Sequence, residues 1–415
     1  MSEPLVIVGA SYAGLNAALS ARAAGHDGPI VLIGDEDALP YQRPPLSKAF
    51  MLGKVAESAL PLRPKLTLDN NKIEFLQGIR VTAIDRAGHT VETAAGRRIP
   101  YARLILATGC RARTLPVPGA DLAGVHYLRT LDDARALREH ALAAETVAVI
   151  GGGFIGLEVA ASLAALGKTV TVIEAQDRLL ARAVPPALSE FLAGVHRGAG
   201  VRILFNTTVR RLRGDNGKVH AAELSDGSTC PADIALVGIG AIPNIELASQ
   251  AGLACDDGIV VDAFARTSDP LITAAGDCTR FPTRFAARPV RLESVQNAQD
   301  QARTAAMTAV GTLKPYDAVP WFWSDQYDLK LQMVGLSQGH DHMVTRGRPE
   351  ERKFSLFYFK DGVLIGIDSV NRAGDHMAGR HLIGTGAPIA PEQIADPHFD
   401  LAAAVKSLRA AAAAT

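Results

Sequence analysis

The chain carries no excess of charge. Its 415 residues include 43 Lys and Arg against 43 Asp and Glu, a formal net charge of zero. Broad binding to a phosphate backbone needs clustered, uncompensated Lys and Arg, so no nucleic-acid partner is expected. Long apolar runs are missing too. The longest early one is Leu5–Val8, and nothing approaches the roughly 18 residues of a membrane span. No leader segment is legible, so the expected compartment is the cytoplasm, with no membrane partner. Cysteine is scarce: Cys110, Cys230, Cys255 and Cys278 are all there are, and no two are spaced C-x-x-C or C-x₄-C. That argues against a dithiol redox pair and provides no metal-ligand spacing, so no metal is expected.

Glycine is present where it carries most information. At roughly 100–200 residues per domain the length predicts two to four domains, and two strand–turn–helix–strand units stand out. The first reads strand Pro4–Val8, glycine turn, helix Ala13–Ala24, strand Ile30–Ile33. The second is "TVAVIGGGFIGLEVAASLAALGKTVTVIEA", beginning after Glu145. Gly151, Gly153 and Gly156 complete G-x-G-x-x-G between a strand and a helix. The first glycine permits a tight turn, the second admits a pyrophosphate, and the third lets the helix pack closely. The helix N-terminus then faces the phosphates. Glu174 ends the next strand, where an acid bonds the ribose hydroxyls and repels a 2′-phosphate, favouring NAD over NADP. Arg178 and Arg182 lie nearby, and either is able to meet a phosphate.

The first turn, "VIVGASYAGL", keeps Gly9 and Gly14 but has Ser11 in the middle. Serine is small enough to admit a pyrophosphate if its hydroxyl turns aside or donates to it. Asp35 or Glu36 can supply the ribose acid. Further on come a hairpin-like stretch from Val201 to Leu224, the strand "IALVGIGAIPN" (234–244), the buried strand in "DPLITAAGDCTR" (269–280) and a helix near Asn297–Val310. From Pro320 both tryptophans and strand alternation mark a β-rich domain. The Ala-rich tail, Leu401–Thr415, is predicted to be a solvent-side helix without chemistry. Two nucleotide sites beside a β domain point to flavin plus nicotinamide chemistry.

Seven segments occur in order: "YQRPPLSK", "LATG", "LRTLDDA", "GGGFIGLE", "AAGDC", "ESVQNAQDQA" and "PWFWSDQ". On these the chain resembles, over essentially its whole length, the FAD-dependent NADH:ferredoxin reductases of bacterial oxygenase systems. That family includes the putidaredoxin, rhodocoxin and aromatic-dioxygenase reductases, within the glutathione-reductase-like superfamily. The resemblance implies an α/β fold with two Rossmann-like domains and a C-terminal α+β domain. The parts would be 1–113 (FAD, first part), 114–243 (NAD), 244–320 (FAD, second part) and 321–415 (C-terminal).

The resemblance also implies site roles. Gly9, Ser11, Ala13 and Gly14 would lie on the FAD pyrophosphate, with Asp35 on the adenosine ribose and Val81 giving backbone bonds to adenine. Arg129 would meet the FAD phosphate region, and Arg43, Thr108 and Gly109 would be further FAD-binding residues. Asp277 would accept from the ribityl chain. Glu293 and Val295 would lie at the pyrimidine edge, and Trp323 near the isoalloxazine. NAD would meet Gly151, Gly153, Ile155, Gly156, Glu174, Arg182, Gly238, Ile239 and Gly240. Lys48 and Glu158 would be the catalytic pair, positioning nicotinamide and flavin for hydride transfer. Electrons would leave singly for an acidic [2Fe–2S] ferredoxin docked by Arg63, Arg303 and Lys330, and then reach a cytochrome P450 or a Rieske oxygenase. Arg280, Arg284, Arg288 and Arg291 form a further sequence-local cluster of candidates. A monomer or weak dimer is expected. The alternatives are a rubredoxin reductase, a flavin subunit of another NADH enzyme, or a non-enzymatic redox-sensing protein. Cys278 is read as a small buried residue.

Overall fold

The computed structural model describes residues 4–413. β1 (Leu5–Val8) and β2 (Ile30–Ile33) are uninterrupted Leu/Ile/Val runs, buried throughout. Such runs suit parallel strands covered on both faces. α1 (Tyr12–Ala23) joins them. The sheet order is Ile272–Ala274, Arg103–Leu106, β1, β2, Ile73–Leu76, all parallel. The chain therefore steps one way from β1 to β2 and later returns to the other side of β1. Ligands bind at such a switch point, outside the carboxyl ends of the strands.

The second sheet repeats the plan. β3 (Thr146–Ile150), α2 (Phe154–Ala165) and β4 (Thr169–Ile173) form its centre, and α3 (Pro186–Gly198) follows. Its order is Arg202–Leu204, β4, β3, Ile234–Val237, Val125–Tyr127, again all parallel. Arg202–Leu204 is thus a sheet strand. The predicted hairpin is confined to Val209–Asp215 and Lys218–Leu224. Its two-residue turn is Asn216-Gly217, both at positive φ, the preference of a type I′ hairpin. The chain leaves the first sheet through Cys110–Ala112 and returns through Ala241–Pro243, and these two segments pair side by side.

α4 (Val295–Ala309) returns to the first sheet and packs on α1. The contact is alanine on alanine: Ala17, Ala18 and Ala21 share a core with Ala298, Ala302 and Ala305. Small side chains let the helix axes approach closely. β5 (Trp321–Gln326) opens an antiparallel sheet ordered β5, Leu329–Gly335, Val363–Val370, Lys353–Lys360, His342–Arg348.

This last sheet is not packed apart from the rest. Leu329, Leu331, Phe354, Leu356 and Tyr358 join Leu157 and Leu163 of α2 in one core. α2 is covered on both sides, and Gly156–Leu163 are all buried. The tail corrects the sequence expectation. Leu401 and Val405 are buried in the C-terminal core with Leu382 and Ile383, and Leu408 packs against it. The helix Leu401–Ala413 lays an i, i+4, i+7 stripe on the protein; Ala414 and Thr415 lie outside the described residues. No helix among the described residues is long and apolar enough to cross a membrane.

Candidate functional site

The two glycine turns sit at the carboxyl ends of β1 and β3. Gly9 and Gly151 both adopt positive φ, and a Cβ would fall 2.0 Å from the Ala107 carbonyl oxygen and 2.4 Å from that of Gly238. The protein itself demands glycine there. Gly153 differs: a Cβ would meet nothing closer than the Gly238 oxygen at 3.8 Å. Packing leaves space at this position, as a closely approaching ligand requires. Ser11 occupies the matching place as N-cap of α1, and its hydroxyl makes no capping bond. Arg43 Nε donates to Ser11 Oγ at 3.2 Å, which holds the hydroxyl oxygen and leaves its proton for a further acceptor.

Arg43 is a hub. Beyond Ser11 it donates to Glu36, Tyr41 Oη and the Arg129 carbonyl. Glu36 also accepts from Tyr41. Of the two candidate ribose acids, Glu36 is therefore committed within the protein, whereas Asp35 is exposed and unpaired. In the second unit Glu174 accepts from Gly152 N at 2.6 Å and Gln176 N at 2.8 Å. It braces the turn and directs its carboxylate to the end of β4. Arg178 donates to the carbonyls of Val184 and Ala181, so it staples its own loop rather than reaching a phosphate. Arg182 is exposed and lies beside Gly240. Ile155, in the first turn of α2, is 45% exposed, an apolar side chain standing at the glycine turn.

A cavity of 530 Å³ opens between the units. Tyr12, Lys48, Glu158, Trp323, Asp325 and Tyr327 are among its lining residues. Lys48 Nζ is 2.7 Å from Glu158 Oε2, and Glu158 is 2% exposed. Its burial follows from α2 being covered on both faces, so it is no solvent-facing helix glutamate. The same oxygen accepts from Ser47 Oγ at 2.6 Å, and Oε1 accepts from Ser324 Oγ at 2.6 Å. The carboxylate thus joins the Pro-rich loop, α2 and β5. A buried charge is tolerable only with such partners. Burial pushes the Tyr12 and Tyr327 phenols up to about 12, so both are neutral donors.

At the same carboxyl end of the first sheet, Arg129 pairs with Asp277 at 3.0 Å. Asp277 also accepts from the Cys110 thiol at 3.4 Å. It lies in a turn after Ile272–Ala274 and caps no helix. The adjacent Gly276 would place a Cβ 3.2 Å from that of Ala13, which seats this turn on α1. Thr108 and Gly109 are laced to Asn244 by three hydrogen bonds. Ser294 caps α4 by accepting from Asn297 N, setting Val295 at the first turn, where a helix carries partial positive charge. Glu293 pairs with Arg291. Val81 is buried at a bulge in a small sheet of its own with Thr90–Thr93 and Arg98–Pro100.

Sequence reasoning missed Ser47, Ser324 and Asn244. The two serines lie inside quoted motifs, but a hydroxyl carries no signal of its partner. All four cysteines are free. Burial raises the Cys110 and Cys278 thiols, so neither is a thiolate. Arg63, Arg303 and Lys330 are exposed. Arg63 and Gln299 line one crevice, and Arg303 follows Gln299 by a turn of α4. The other arginine cluster is largely compensated: Arg280 pairs with Asp256, Arg284 with Asp317, and Arg291 with Asp257 and Glu293. The residues present fit two dinucleotides: there are two glycine turns, one with open space at its centre, and the helices that follow them, α1 through Tyr12 and α2 through Glu158, line one cavity with Lys48.

Comparison with known proteins supplies independent findings. Residues 3–302 match the family described as pyridine nucleotide-disulphide oxidoreductase, and residues 321–405 match the reductase C-terminal family. The rhodocoxin reductase of Rhodococcus erythropolis is 47% identical, over 97% of this chain and 94% of that protein. The crystal structure of the ferredoxin reductase for the CYP199A2 system from Rhodopseudomonas palustris superposes with TM-score 0.94 at 46% identity, over 97% of this chain and 99% of that one. The covalent putidaredoxin reductase–putidaredoxin complex also gives TM-score 0.94, at 42% identity over 100% and 99% of the two chains.

Proposed function

The chain belongs to the pyridine nucleotide-disulphide oxidoreductase family, and from that premise we propose that it is an FAD-dependent NADH:ferredoxin reductase that passes electrons singly to a [2Fe–2S] ferredoxin. Its relatives include ferredoxin reductases and a reductase–ferredoxin complex. Without a cysteine pair the disulfide chemistry in the family's description has no seat here. The observation that carries the proposal is the cavity in which Lys48, Glu158 and Trp323 meet residues of both glycine helices.

When bound, FAD supplies the hydride acceptor and converts one two-electron input into single-electron outputs. The chain's own residues bind and orient. Gly9, Ser11, Ala13 and Gly14 hold one pyrophosphate, with Asp35 on its ribose and Arg43 bracing the turn. Val81, Thr108, Gly109, Arg129, Asp277, Glu293 and Val295 hold the rest of the flavin nucleotide. The positive end of α4 favours electron density at the pyrimidine edge. Gly151, Gly153, Gly156 and Glu174 hold the nicotinamide nucleotide, with Ile155, Arg182, Gly238, Ile239 and Gly240 around it. Lys48 and Glu158, held as an ion pair on the cavity wall, would orient the two rings.

Arg63, Arg303 and Lys330 are the proposed contacts for an acidic ferredoxin, which then serves a P450 or Rieske oxygenase. The proposed division at 113 and 243 is supported by the paired segments Cys110–Ala112 and Ala241–Pro243, and that at 320 by the start of β5 at Trp321. A cytoplasmic monomer or weak dimer completes the proposal on the sequence reading alone. The test is direct. The yellow protein should bleach with NADH under argon, and cytochrome c reduction should be slow alone and fast with a [2Fe–2S] ferredoxin. If rubredoxin or a disulfide accelerates turnover and ferredoxin does not, the proposal fails.

A further inference from the structure

Behind the cavity wall a line of polar side chains runs from α3 to Glu158. His196, on α3, is fully buried. Its Nε2 lies 2.8 Å from Gln326 Oε1, and its Nδ1 lies 3.1 Å from Tyr327 Oη. Gln326 Nε2 donates to Ser324 Oγ at 3.1 Å, and Ser324 donates to Glu158 Oε1 at 2.6 Å. Ser324 and Gln326 are buried on β5. The opposite carboxylate oxygen takes Ser47 and Lys48.

The carboxylate dictates the direction of every bond in this line. An ionised Glu158 only accepts. Ser324 has a single proton, and at 2.6 Å it must point to Glu158. The serine oxygen then takes a donor, which the Gln326 amide nitrogen provides. Gln326 Oε1 is left to accept, so His196 donates from Nε2. A neutral imidazole protonated there accepts at Nδ1, and Tyr327 donates its hydroxyl. Burial holds His196 below its ordinary pKa, consistent with the neutral ring this pattern needs.

We propose that His196 and Gln326 are positioning residues for Glu158, acting through Ser324 as a one-way hydrogen-bond relay. Phenol, imidazole, amide and hydroxyl all point their donors toward one carboxylate oxygen. They fix its rotamer and its negative charge while Lys48 sits on the other oxygen. An amide does not pass a proton along, so the line transmits polarity and orientation only. It joins three parts of the fold: α3, β5 and α2. The assignment rests on the reading of Glu158 as the carboxylate that faces the nicotinamide.

Two measurements on the FAD-loaded enzyme test it. First, long-range ¹H–¹⁵N spectra of protein labelled in its histidine rings, with His196 assigned from the His196→Asn spectrum, should show the neutral Nε2–H tautomer near neutral pH. An Nδ1–H tautomer or an imidazolium overturns the relay. Second, Gln326→Glu is nearly isosteric but accepts on both arms, drawing the Ser324 proton away from Glu158. Hydride transfer from NADH in anaerobic stopped flow should slow about tenfold or more, with the NADH dissociation constant within about threefold. Glu158→Gln separates the two claims. If it leaves hydride transfer unchanged, the reading of Glu158 falls. If it slows transfer while Gln326→Glu matches wild type, the relay alone is overturned.

Discussion

Ser11 is the residue at which the two glycine turns part company. Packing leaves room at Gly153 in the second turn, and at the matching place in the first Arg43 grips the serine oxygen. Ser11→Gly should therefore retain FAD, whereas Ser11→Leu should purify largely colourless; a yellow Ser11→Leu would remove the pyrophosphate from this turn. Glu174 accepts from the turn's own Gly152 and is the proposed partner of the ribose hydroxyls. Glu174→Ala should shrink the ratio of kcat/KM for NADH over NADPH by about tenfold or more. An unchanged ratio would take Glu174 out of cofactor choice. Asp368, buried in the C-terminal sheet, accepts from Tyr358 at 2.7 Å, and burial raises its pKa from 3.8 to about 7. Between those values the unfolded chain releases this proton and the folded chain keeps it, so stability falls as pH rises through that window. Asp368→Asn should be more thermostable than wild type at about pH 8, and the gap should close near pH 4. A gap that is flat with pH would refute the assignment.

At the scale of elements, the helices and strands that carry spaced glycine, or glycine beside acid, were legible in the sequence. Both β–turn–α–β units, the Lys48 loop and the Asp277 turn stand where the motifs put them. The start of α4 came two residues early because Ser294 supplies a cap. What could not be read was tertiary. Ser47 and Ser324 meet Glu158 across 111 and 166 positions of chain, and no local pattern encodes a partner so distant. The C-terminal tail was misjudged for a related reason: in an Ala-rich stretch, Leu401, Val405 and Leu408 are too few to betray a buried stripe by composition. The α4 cap gives this scale its prediction. Ser294→Ala should cost about 1 kcal/mol of stability in denaturant unfolding. Because Val295 is the helix's first residue, the flavin absorption band should shift as well. Lost stability with an unmoved spectrum would leave the cap purely structural.

For the whole molecule, zero net charge means that a charged partner gains no long-range pull from the protein at large, so steering must come from a local patch. The three proposed docking cations are not equivalent in this respect. Arg303 pairs with Asp300 at 3.1 Å, which mutes its field. Arg63 bonds only its neighbour's carbonyl, and Lys330, opposite Asp325 in the sheet, makes no ion pair within 4.0 Å among the described residues. The uncompensated pair should then dominate association. Arg63→Glu and Lys330→Glu should each lower kcat/KM for an acidic ferredoxin more than Arg303→Glu does, by about tenfold at low salt. The effect should fade as ionic strength approaches about 0.5 M, where screening shortens the reach of any exposed charge. It should appear in KM and the association rate rather than in flavin bleaching by NADH, because the cavity proposed to take the nicotinamide is lined by Lys48 and Glu158 and not by these residues. Equal losses at all three positions, or losses that persist at high salt, would move the docking surface elsewhere on the molecule.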